Sequence, residues 1–85
     1  MKEGYIYEKT IPLSEVMVGS TAQVLQLLTT GLQRRRMLDL GLIPGTVIEV
    51  LRKSPLADPI AYNIRGATIA LRKEESLQIL VREIH

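Results

Sequence analysis

The apolar positions change their spacing several times along the chain, and each change marks an element. In TAQVLQLL, Thr21–Leu28, branched and apolar residues dominate and predict a strand, although adjacent Leu27 and Leu28 leave its inward face ambiguous. Thr29-Thr30-Gly31 breaks that strand and offers a threonine N-cap to a short helix over Leu32–Leu40, which Gly41 stops. Pro44-Gly45 then turns the chain into TVIEVLRK, Thr46–Lys53, a β-branched strand of partial alternation. SPLADP, Ser54–Pro59, holds two prolines and reads as a loop.

The clearest alternation follows. Ile60, Tyr62 and Ile64 point one way, and Asn63 and Arg65 the other. Arg65-Gly66 is a candidate hairpin turn, because Gly66 accepts positive φ. Ala67, Ile69 and Leu71 then alternate with Thr68, Ala70 and Arg72. One charged turn, Lys73–Ser76, leads into LQILVREI, a last strand with Leu77, Ile79 and Val81 inward. At the other end, residues 1–10 read as a flexible charged leader. IPLSEV, Ile11–Val16, reads as a short turn with Ser14 as a capping residue.

About five short strands with one short helix between the first two make a mainly β chain, arranged as a small barrel or sandwich. A barrel would remove the exposed sheet edges. The length of 85 residues argues for one domain, spanning 11–85 after the leader. With no Trp, no Phe and three Tyr, the core must be built from Leu, Ile and Val, with Met as filler. There is no cysteine, so neither a disulfide nor a thiolate metal site adds stability.

Net charge is +2, unevenly spread. Residues 31–73 carry eight Lys/Arg against three Asp/Glu, a net of +5, while the flanking segments are acidic. Such a middle segment can attract nucleic acid, an anionic membrane surface or an acidic protein. No run nears the roughly 18 apolar residues of a membrane span. MKEGYIYEK also lacks the apolar stretch of a signal peptide. The expected compartment is the cytoplasm.

Catalytic candidates are few. The one histidine, His85, is the last residue and is expected to be disordered, and without cysteine no Ser–His or Cys–His pair is expected. Neither a phosphate loop nor a dinucleotide fingerprint is present. Carboxylates are scattered except for Glu74-Glu75, so we expect no enzyme, no cofactor and no metal site. Asp58 in the proline loop is better suited to setting a turn than to ligating a metal.

Arg34, Arg35 and Arg36 are the conspicuous feature. At about 100° per residue they spread around the helix and cannot form one basic stripe. Leu32, Met37, Leu38 and Leu40 take the remaining directions, so at least one apolar side chain should reach the surface. Arg35 and Asp39, four apart, can pair. With aromatics at only 4% of the chain, there is little to stack on bases, and nucleic acid is not the expected partner. In the proline loop, Leu56 at the tip is expected to be exposed on a stiffened frame.

From Arg36 to Val81, RMLDLGLIPGTVIEVLRKSPLADPIAYNIRGATIALRKEESLQILV resembles the FeoA family, ferrous iron transport protein A. The resemblance is carried in order by Leu40-Gly41-Leu42-Ile43-Pro44-Gly45, Pro55-Leu56-Ala57-Asp58-Pro59, Leu71-Arg72 and Ile79-Leu80-Val81. The opening IPLSEVMVGSTAQV is also similar to the start of the family pattern. One residue departs from it: Ala57 stands where the loop usually has glycine, which costs roughly 1 kcal/mol if positive φ is needed there. The resemblance implies an SH3-like β-barrel with structural turns at Gly41, Pro44, Gly45 and Gly66. It implies a cytoplasmic, non-enzymatic accessory role in ferrous iron uptake, with transition-metal binding an occasional family attribute. The implied partner is the cytosolic G domain of a FeoB-like permease, so that the membrane is met only through that partner. On this reading the contact surface joins Arg34, Arg35, Arg36, Met37, Leu40 and Leu42 to Pro55, Leu56, Asp58 and Pro59. A standalone nucleic-acid-binding or metal-sensing barrel is the alternative, and exposed apolar residues could also serve weak self-association.

Overall fold

The computed structural model describes residues 9–84. The expected leader therefore lies largely outside the described residues, as does His85. Six strands form one antiparallel sheet: β1 (Thr10–Pro12), β2 (Thr21–Leu27), β3 (Val47–Lys53), β4 (Ile60–Ile64), β5 (Ala67–Leu71) and β6 (Ile79–Ile84). Their spatial order is β1-β6-β2-β3-β4-β5. A 3₁₀ turn (Leu13–Glu15) follows β1, α1 (Gly31–Asp39) joins β2 to β3, and the single turn α2 (Lys73–Ser76) joins β5 to β6.

The sixth strand is β1, in a stretch divided by expectation between leader and turn. Thr10 pairs with Arg82, Ile11 with Val81 and Pro12 with Leu80. A proline is tolerated there because β1 lies at the edge of the sheet. Ser14 does not cap: it is buried, and its hydroxyl has no hydrogen-bond partner. Among the described residues no ladder joins β1 to β5, so two edges remain where full closure was expected.

Two bulges account for the imperfect alternation in the sequence. In β2 the register with β6 shifts between Val24 and Gln26, which puts Leu25 and Gln26 outside and returns Leu27 to the core. Leu28, past the strand, is exposed. In β3 the register with β4 shifts between Val50 and Arg52, leaving Ile48 and Val50 buried and Arg52 outside. In β4, Ile60, Tyr62 and Ile64 all face the core, as their alternation predicts. The β4–β5 connection has φ of 54° at Arg65 and 87° at Gly66, the signature of a type I′ hairpin. Leu77 is a correction: it follows α2 rather than opening β6, and it is 41% exposed.

The core is aliphatic, as composition requires, around the buried ring of Tyr62. Burial pushes the Tyr62 phenol upward in pKa, an effect that the neighbouring Ser76 hydroxyl partly offsets. The two groups stop short of a formed hydrogen bond: Tyr62 Oη has no partner, while Ser76 Oγ donates to the carbonyl of Lys73.

Candidate functional site

Helix α1 begins at Gly31, one residue earlier than its pattern predicts, with Thr30 in the extended N-cap conformation. Neither threonine caps it through its side chain. Thr29 is buried, and its hydroxyl points at Met37 Sδ, 3.5 Å away. The helix closes on Gly41 at φ 95°, where Gly41 N–H donates to Leu38 O and Leu42 N–H donates to Met37 O. This paired closure is a Schellman motif, and both ends of its hydrophobic contact, Met37 and Leu42, are fully buried. The φ of 95° favours glycine at residue 41, and an added Cβ would also lie 2.6 Å from Arg65 Cδ and oblige that side chain to shift.

That closure corrects the expected contact surface. Met37 and Leu42 are core residues, and Leu40 packs partly buried against the core, so none of the three presents an open apolar face to a partner. Leu32, which was not placed in the contact set, is 87% exposed. The arginines diverge as the helical wheel predicts. Arg34 Nη1 donates to the carbonyl of Leu27, Arg36 forms an ion pair with Glu75 of α2, and the Arg35 side chain makes neither hydrogen bond nor ion pair with a described residue. The Arg35–Asp39 pair does not form.

The proline loop is built from polar ties. Ala57 N–H donates to Ser54 O, closing a turn with Ala57 at φ 64°, in the region that favours glycine. Asp58 N–H donates to Ser54 Oγ, and Asp58 Oδ1 accepts the N–H of Lys73 at the start of α2. Leu56 stands at the tip, 89% exposed, between exposed Pro55 and Pro59.

Helix α2, in sequence no more than one charged turn, links the other two elements. Glu75 Oε1 accepts the N–H of Arg72, while Oε2 accepts Arg36 of α1. Burial raises the Glu75 pKa, but the Arg72 N–H and the Arg36 guanidinium outweigh it and hold the carboxyl below its ordinary value. The sequence signal for this was a Glu three residues after the N-cap Arg72, half of a capping box. The Arg36–Glu75 and Asp58–Lys73 contacts therefore connect α1, α2 and the proline loop on the outside of the barrel.

The family model of the FeoA domain matches residues 11–83. The chain belongs to the FeoA family. That family serves ferrous iron transport. The Fe(2+) transport protein A/Fe(2+) transporter FeoB fusion protein of Porphyromonas gingivalis is 35% identical to the chain over 72 residues, which is 85% of this chain. This chain spans only 8% of that relative's length. The structure of a FeoA-like protein from Clostridium acetobutylicum superposes with a TM-score of 0.84 at 35% identity, covering 94% of this chain and 92% of that one. FeoA of Stenotrophomonas maltophilia, an SH3-domain protein solved with zinc, gives 0.72 at 25% identity, covering 81% of this chain and 86% of that one. The fold of the FeoA chain described here is thus a small SH3-like β-barrel.

No three His, Cys, Asp or Glu side chains gather into a metal site among the described residues. Of the four carboxylates on these elements, Asp58 is engaged by a backbone N–H and Glu75 by Arg36 and Arg72, while Asp39 and Glu74 stand exposed on separate helices. This donor set does not fit a transition metal. No helix among the described residues is long and apolar enough to cross a membrane.

Proposed function

We propose that the chain is a cytoplasmic, non-catalytic accessory protein that docks on the cytosolic G domain of a FeoB permease and modulates ferrous iron transport. Docking uses α1, α2 and the proline loop. The observation that carries the reading is the pair of large apolar side chains most exposed among the described residues, Leu32 at 87% and Leu56 at 89%, on elements connected through α2. Exposed apolar anchors on a preorganised frame supply buried contact at low ordering cost. Arg35, with no described partner, is available to steer the encounter. The Porphyromonas gingivalis fusion supports the choice of partner, since it carries FeoA and FeoB in one chain, where tethering raises their effective concentration.

Calorimetric titration with the cytosolic region of FeoB tests this. The wild type should bind, and Leu32→Ser/Leu56→Ser should weaken binding at least about tenfold with the fold retained. Failure of the wild type to bind, together with salt-sensitive binding of RNA or DNA, would sink the proposal.

A further inference from the structure

The outer face of β3, β4 and β5 carries a shallow trough of about 310 Å³ that runs up to the base of the proline loop at Ser54, Pro55 and Pro59. Its floor is a registered row: Arg52 lies opposite Ala61, and Ala61 opposite Ala70. Arg52, Lys53 and Pro55 stand along it, and Pro59 helps line it. Both alanines face outward, because their neighbours Ile60, Tyr62 and Leu71 take the inward positions. Beyond β5 the sheet has no further strand among the described residues, so the trough is open on that side.

Neither the Arg52 nor the Lys53 side chain has an ion pair or hydrogen bond with a described residue. The carboxylate of the adjoining loop, Asp58, is engaged by the N–H of Lys73. The next outward row is Glu49, Asn63 and Thr68. A continuous polyanion running over this face would meet Glu49, whereas a segment with its negative charge at one end only would not. The alanine floor offers no aromatic surface for a base, and it leaves the strand backbones open to close approach by a second chain.

We propose that this trough binds an extended protein segment that carries carboxylates at one end, facing Arg52 and Lys53, and small apolar residues across Ala61 and Ala70. The inference does not rest on the docking of FeoB, whose proposed anchors Leu32 and Leu56 do not line the trough.

The test is an NMR titration of the isotope-labelled full chain with a heptapeptide of two glutamates followed by alternating valine and serine. Amide shifts should gather at Arg52, Ala61 and Ala70. Ala70→Leu, which fills the floor and keeps both charges, should weaken binding about tenfold, and so should Arg52→Gln/Lys53→Gln. The unperturbed spectra of both variants would verify their folds. Any of four results overturns the proposal: no shifts at the trough, equal binding of a peptide with lysines for glutamates, Ala70→Leu binding like the wild type, or tighter binding of a short oligothymidine. FeoB titration of the same two variants should stay at the wild-type value, so the two readings fail separately.

Discussion

Helix α1 and the proline loop are both short connections between strands, and both carry an exposed leucine, but they are held in opposite ways. Helix α1 is anchored by burial, with Met37 and Leu42 in the core and a glycine closure between them. The proline loop buries no residue and is anchored by Ser54, Asp58 and its tie to α2. Burial is worth several kcal/mol per side chain, whereas a single hydrogen bond nets about 1 kcal/mol. Damage to α1 should therefore threaten the fold, and damage to the loop should mainly threaten what the surface does.

Met37→Ala should give the largest effect, a loss of about 2–5 kcal/mol in urea unfolding, against about 0.5 kcal/mol or less for Leu56→Ser. Similar losses for both would break the contrast. Gly41→Ala should come next, at about 1–2 kcal/mol from its left-handed backbone alone. In an Arg65→Ala background only the steric part of that loss should be recovered, since the 2.6 Å approach is to Arg65 Cδ. Asp58→Ala should cost about 1 kcal/mol by leaving the Lys73 N–H without its acceptor. Ala57→Gly should be a gain rather than a loss, up to about 1 kcal/mol from relief of the left-handed backbone, offset in part by the freer unfolded chain.

Acid sharpens the comparison further, because it acts on the link between the two regions. The folded Glu75 pKa lies below its unfolded value. Its contribution is therefore fully present above the unfolded carboxylate range near pH 4.3 and is lost as pH falls through the lower folded value. Unfolding curves across that range should show a steeper acid loss for the wild type than for Glu75→Gln.

The strands that alternate cleanly were legible in the sequence. Ile60, Tyr62 and Ile64 declared their face, and Arg65-Gly66 declared the hairpin. The bulges at Leu25 and Leu51 were visible only as faults in the pattern, because an inserted residue is defined by the partner strand it fails to match. β1 escaped notice since three residues carry no period, and its pairing with β6 spans almost the whole chain. The site was legible in half. Leu56 and the diverging arginines followed from local geometry. The burial of Met37 and Leu42 did not, because a glycine closure folds both ends of its contact inward. The role of α2 depends on Arg36 meeting Glu75 across 39 positions, which no local spacing encodes.

The central claim is that the surface joined by α2 meets FeoB. The most direct measurement is the amide chemical-shift footprint of the labelled chain on addition of the cytosolic region of FeoB. We predict perturbations at Leu32, Arg35, Leu56, Ala57 and Leu77, with Met17, Val18 and Val47 unchanged, although these three are also exposed apolar residues. A footprint centred on Met17, Val18 and Val47, with α1 and the proline loop silent, would contradict the account.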